Sequence, residues 1–200
     1  MKKKILGFVV ILLFLPVFVR AASYDDYVKE GNLAFHENRI DDAIKSYTKA
    51  LEIEPKKEGK IYNIRGILYR QQQKIDLSIK DFNKAVELDP ANPTYLLNRG
   101  ETYGTMGNFE KAAKDFSGVI KMNPQSEDGY TGRGKAMLFM GRFAEAVKDL
   151  TRSIEINPKS AVAFKFRSIA YEKLGKKSKA REDMEKAKNL GVEVKGPHGN

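Results

Sequence analysis

Catalysis and metal ligation usually draw on histidine, cysteine and clustered carboxylates, and this 200-residue chain offers few of them in usable arrangements. Its only histidines are His36 and His198, and it has no cysteine. That removes disulfide and thiol chemistry together and leaves the redox compartment unread. No HExxH, GxSxG or phosphate-cradling glycine loop occurs. Gly132-Arg133-Gly134 is a lone Gly-x-Gly inside a helical pattern, without the preceding strand a dinucleotide site needs. Asp25-Asp26 and Asp41-Asp42 stand where helices start, and carboxylates there complement the helix dipole. The expectation is a protein that is not an enzyme and takes no cofactor or metal.

A second set of charged residues is spaced too regularly to be incidental. Arg65, Arg99, Arg133 and Arg167 are 34 residues apart, and so are Asp81, Asp115, Asp149 and Asp183. Both are missing from the preceding unit, where Glu30 and Ser46 take their places. Arginine and aspartate are gained and lost together. That predicts a bidentate guanidinium–carboxylate pair between two helices of one unit. An anion-binding ladder of arginines is the alternative.

The same period runs through the apolar residues. Pro55, Pro90, Pro124 and Pro158 close successive units at spacings of 35, 34 and 34. Gly31, Gly66, Gly100 and Gly134, with Ser168, recur in the first helix of each unit. Tyr27, Tyr62, Leu96, Tyr130 and Phe164 lie four residues earlier. In the second helices Ala43, Ser78, Ala112, Ala146 and Ala180 recur, then Tyr47, Phe82, Phe116, Leu150 and Met184. A mid-helix glycine costs roughly 1 kcal/mol against alanine, so four at one phase need a packing reason. We expect close approach of the two helices of a unit, with the alanine position facing the glycine. A 34-residue helix-turn-helix unit in this order of aromatic, glycine, alanine, aromatic and proline resembles the tetratricopeptide repeat (TPR), over residues 24–192. Ala34 and Met137 depart from it in place of a tyrosine, and Val192 in place of the last proline. The resemblance implies an all-α solenoid of about ten antiparallel helices, with repeats at 24–57, 59–92, 93–126, 127–160 and 161–192. Helices are expected near 25–37, 41–54, 60–73 and 75–88. The later units open after Asn92-Pro93, Ser126 and Ser160.

Residues 1–22 read differently. Lys2, Lys3 and Lys4 precede an apolar run from Ile5 to Val19, and Val19-Arg20-Ala21 suits a signal peptidase. The run falls short of the roughly 20 residues of a spanning helix and carries Gly7 and Pro16. A cleaved signal peptide is expected, with an uncleaved anchor as the alternative. The protein would be exported, periplasmic or secreted, or else anchored to the inner membrane. Formal net charge is +10, and the leader takes four of those charges with it. Export and aromatics at core phases argue against a nucleic-acid partner. Residues 193–200 have no periodicity and are expected to form a flexible tail.

In repeats 1–4 the second helix keeps two apolar phases for the next unit, Ile44 and Leu51 in the first. In repeat 5 these are Arg181 and Lys188, which predicts a polar cap that ends the array as one monomeric domain. The resemblance further implies that first helices line a concave face for a protein or peptide partner. Its phases carry over to Asn63, Ile64, Ile67, Arg70, Leu97, Asn98, Glu101, Lys135, Phe139, Lys165, Phe166 and Ile169. We expect a mixed surface with an excess of amide and basic groups, centred on Lys135, Phe139, Lys165 and Phe166. Phe139 could instead pack between units. The two-carboxylate clamp used by some family members is absent: Asn32 fits it, but Val28, Ile64, Thr94 and Asn98 occupy its other positions. The function expected is an interaction module scaffolding an envelope assembly, or alternatively a membrane-anchored structural spacer.

Overall fold

Among the described residues, the short amphipathic segments of the sequence form ten α-helices joined by short connections. The computed structural model describes residues 21–191. The expected leader, apart from Ala21 and Ala22, and the expected tail lie outside the described residues. First and second helices alternate as α1 (Tyr24–His36), α2 (Ile40–Ile53), α3 (Gly59–Gln71), α4 (Ile75–Leu88), α5 (Pro93–Thr105), α6 (Phe109–Met122), α7 (Glu127–Phe139), α8 (Phe143–Ile156), α9 (Ala161–Lys173) and α10 (Lys177–Asn189). Among the described residues there is no strand. The all-helical solenoid is therefore as expected, with the early helix starts up to one residue before their expected positions.

Local chemistry sets the ends. Ser23 caps α1 in a reciprocal box with Asp26, whose carboxylate accepts from the Ser23 backbone N–H at 2.9 Å. Asn92, Ser126 and Ser160 cap α5, α7 and α9 through their side chains. Each first helix ends in the same closed turn, its backbone N–H reaching back five residues, as from Asn108 to the Tyr103 carbonyl at 2.9 Å. That turn needs one left-handed residue. Gly107, Gly141 and Gly175 supply it freely, whereas Asn38 and Gln73 adopt it with φ of 57° and 59°.

Within each unit the helices approach through the recurring glycine, but its opposite number is the large residue of the second helix. A Cβ on Gly31 would lie 2.6 Å from the Tyr47 ring, and one on Gly66 2.9 Å from Phe82. Gly100 faces Phe116, and Gly134 faces Leu150. This corrects the expectation that the alanine position would face the glycine. A ring laid flat over a missing side chain fills the volume that two small residues would leave empty. In the last unit Ser168 occupies the glycine phase and donates to the Ala180 carbonyl at 2.8 Å.

The arginine and aspartate series pair within each unit. Arg99 Nε and Nη2 donate to the two Asp115 oxygens at 2.8 and 2.7 Å, and Arg65–Asp81, Arg133–Asp149 and Arg167–Asp183 repeat the geometry. The carboxylates are buried. The third nitrogen reaches the second helix of the preceding unit: Thr48, Asn83, Ser117 and Thr151 accept from Arg65, Arg99, Arg133 and Arg167 at 2.9–3.2 Å. With all three nitrogens of each guanidinium engaged, the alternative of an anion ladder falls. Hydrogen bonding to their aspartates raises the pKa of Arg99, Arg133 and Arg167, against the opposing effect of burial. The first unit lacks the pair. There Tyr47 donates to Asn32 at 2.8 Å, and Tyr24 donates to Glu58 at the start of α3 at 3.0 Å.

Candidate partner-binding groove

The stack is pierced where two first helices lose a side chain that their counterparts possess. Gly104 in α5 stands at the phase of Phe35, Arg70, Leu138 and Glu172. Gly132 in α7 stands at the phase of Ile64, Asn98 and Phe166. A Cβ on Gly104 would meet nothing within 4 Å, and one on Gly132 would strike the Phe116 ring at 2.5 Å. Gly104 leaves open space, Gly132 lets the Phe116 ring lie against α7, and both glycines line a groove of about 780 Å³ across α5, α7 and α9, with Phe116 beside them.

Aromatic faces dominate the apolar part. Phe139 is 58% exposed and stacks on Phe109 with ring centroids 4.9 Å apart. Phe166 also lines the groove, and the Lys135 ammonium lies over its ring at 5.0 Å. An exposed ring backed by a half-buried one beside the groove offers a flat surface on which an apolar side chain can be desolvated at little entropic cost.

The polar part differs from the expected excess of amides and bases. Glu101, Glu127 and Asp128 line the groove against Arg70 and Lys135. The concave phases carried over by resemblance omitted the first turn of α7, where Glu127 and Asp128 sit. Arg70 is committed to Glu101 at 2.8 Å. Glu127 is a hub, one of its oxygens accepting from Thr131, Ser153 and Ser160 at 3.0, 3.2 and 2.6 Å. It thereby ties α7 to α8 and to the cap of α9. Burial first, then the neighbouring Glu127 and Glu101, push the Asp128 carboxyl above its ordinary range.

The residues expected in the site are thus divided. Lys135, Phe139 and Phe166 come together in the groove, and Lys165 lies half-buried outside its lining. Asn63 is buried and accepts from the Asn98 amide at 2.9 Å, so these two join α3 to α5. Ile67 is half-buried and lies outside the lining. Phe109 starts a second helix and so lies outside the first-helix phases that the resemblance assigns to a concave face. Gly104 and Gly132 were legible as gaps in the repeat phase.

Comparison with curated proteins yields no match. Among solved structures the chain is similar to MamA, with 22% identity over 84% of this chain and 91% of that one and a TM-score of 0.77. It is similar to MamA from Desulfovibrio magneticus RS-1 at 13% identity, 84% and 94% coverage and a TM-score of 0.78. YrrB, described as a TPR protein with an unusual peptide-binding site, aligns at 21% identity over 83% and 85% of the chains with a TM-score of 0.73. These likenesses are of fold. A family model described as tetratricopeptide repeat matches residues 27–57, 93–126 and 128–160, and one described as TPR repeat matches 66–107. With matches in four of its five helix pairs and the same architecture in the fifth, the chain belongs to the tetratricopeptide repeat family.

Proposed function

We propose that the chain is an exported interaction module that holds a peptide or an extended segment of a protein partner in the groove of α5, α7 and α9, and so scaffolds an envelope assembly. The observation that carries this is the exposed Phe139, stacked on half-buried Phe109 beside a groove with open space at Gly104. A TPR fold is a protein–protein interaction module, and the peptide-binding site described for YrrB supports a peptide-like occupant. Export rests on the Lys2–Lys4 and Ile5–Val19 pattern. The anchored spacer is the second reading, favoured by the same apolar run if it is retained.

Two measurements test these readings. A photo-crosslinking residue at Phe139 should capture a partner in the native envelope, whereas one at Lys80, in α4 and outside the groove lining, should not. Equal capture at both positions, or none at Phe139, would refute the groove. Phe139→Ala with Phe166→Ala should then lose the partner while the melting temperature moves little. N-terminal sequencing of the mature chain should begin at or near Ala22. A chain beginning at Met1 would establish the anchored form.

A further inference from the structure

The last unit carries a charge anomaly that stack solubility does not require. Residues 161–191 hold nine Lys and Arg against four Asp and Glu, whereas residues 24–57 hold six against eight. Three features of α10 concentrate the excess on one end of the solenoid.

The first is a substitution by phase. In α2, α4, α6 and α8, three phases facing the following unit are apolar, as with Ile40, Ile44 and Leu51 in α2. In α10 the same phases are Lys177, Arg181 and Lys188, all exposed. A terminal unit needs a polar outer face, but either sign of charge would serve. The second is placement against the helix dipole. Each earlier second helix has an acidic residue in its first turn. α10 has none and begins instead with Lys176-Lys177-Ser178-Lys179. Cations at the positive pole of a helix are locally unfavourable, so this arrangement opposes the domain's own stability. The third is the lack of acidic partners, although Lys176 and Lys179 lie over the Tyr171 ring at 6.0 and 5.7 Å. Arg167 and Lys186 take Asp183 and Glu182. Lys173, Lys176, Lys177, Lys179, Arg181 and Lys188 enter no ion pair among the described residues.

We propose that this basic end face seats the domain on an anionic phospholipid bilayer, with headgroup phosphates against the first turn of α10 and the lysines around it. The N–H groups of a helix start and adjacent ammonium groups are complementary to phosphate. Leu174, exposed between Lys173 and Lys176, provides an apolar contact at headgroup depth. A broad set of flexible cations around one leucine suits a fluid anionic plane. Hot spots of specific protein interfaces favour Trp, Tyr and Arg in desolvated pockets, whereas this face is predominantly exposed lysine. Because α9 lines the groove through Phe166 and packs against α10, which carries this face, a domain seated in this way holds its groove beside the membrane. The inference is independent of what the groove binds.

The test is vesicle co-sedimentation of the chain recovered from an exporting host, so that its N-terminus is the same in every arm. Binding to phosphatidylglycerol–phosphatidylcholine vesicles is expected at roughly 0.1 M salt, with loss at roughly 0.5 M as the Debye length shortens. Phosphatidylcholine vesicles should not bind. Lys177→Glu with Arg181→Glu and Lys188→Glu should weaken partitioning by about tenfold or more, because each basic residue near an anionic surface contributes substantially. Circular dichroism and the melting temperature should stay close to wild type. A control of equal charge change, Lys45→Glu with Lys114→Glu and Lys148→Glu, should bind much as wild type does. Equal loss in the control would show diffuse charge and overturn the proposal. So would salt-insensitive binding to neutral vesicles, absence of binding, or retention on heparin without vesicle binding.

Discussion

Asp115→Ala removes both acceptors of the Arg99 fork while leaving the Asn83 contact of its third nitrogen. The side chains of Arg99 and Asp115 are 19% and 5% exposed, so the stranded guanidinium is mostly cut off from water. Removing one partner of a fully buried pair costs about 3–5 kcal/mol. Partial access of water to Arg99 lowers the expectation to about 2–3 kcal/mol, or about 5–10 °C in melting temperature for a domain of this size. Arg99→Ala leaves a buried carboxylate and should cost a similar amount. The double mutant should cost less than the sum of the two, with coupling of about 1–2 kcal/mol. Urea titration followed by far-ultraviolet circular dichroism on all four proteins completes the cycle. Coupling within error of zero would mean that the fork contributes nothing to the native state, and that the period of 34 in arginine and aspartate has some other cause.

Gly31→Ala should destabilise by about 1–3 kcal/mol, because its Cβ would overlap a fully buried Tyr47 ring held by Asn32; chemical denaturation checks it. Gly104→Ala meets open space and should stabilise by about 0.5–1 kcal/mol while narrowing the groove, so stability and partner capture should move in opposite directions. Asp128 has a raised pKa in the folded state, so its protonated form favours folding, and that contribution is lost as pH rises through the folded value. Asp128→Asn should accordingly be more stable than wild type near pH 7, with the difference vanishing below about pH 4; denaturation across this range reads the sign. Arg181→Ile with Lys188→Leu rebuilds the apolar phases of the earlier units and should self-associate end to end in sedimentation, whereas an unchanged monomer would show that the face is otherwise covered.

Much of the fold was legible because a repeated sequence states each packing rule several times. A single unit would have left Arg99 as one more surface arginine. Four units, and a fifth lacking both partners, identified Asp115 as its mate at a separation of 16 residues. The bond from its third nitrogen to Asn83 was not legible, because the accepting phase holds Thr48, Asn83, Ser117 and Thr151, whose only shared property is a polar oxygen. The partner of the mid-helix glycines was assigned to the alanine phase for a related reason. Sequence shows which positions stay small, but a ring folding over a glycine depends on the offset of the two helix axes. The acidic side of the groove is not given by the concave phases, because Glu127 and Asp128 lie in the first turn of α7, outside those phases.

The groove shows how departure from a repeat can be read physically. Periodicity identifies what every unit needs in order to pack, so a residue that breaks the period without breaking the fold is released from that need. Gly31, Gly66, Gly100 and Gly134 keep the period, and each is filled from within its own unit. Gly104 and Gly132 break it. The former faces open space, and the latter is closed against Phe116 by its own missing side chain. Neither helps the helix that carries it, since each costs helix propensity. What Gly104 leaves is open space in a groove edged by the Phe109–Phe139 stack, where other units carry Phe35, Arg70, Leu138 or Glu172, while Gly132 admits the Phe116 ring to the same lining. The same reasoning applies at Lys177, Arg181 and Lys188, where the period breaks in charge instead of volume. In both places the chain forgoes local stability, and both lie at surfaces where another molecule can restore it.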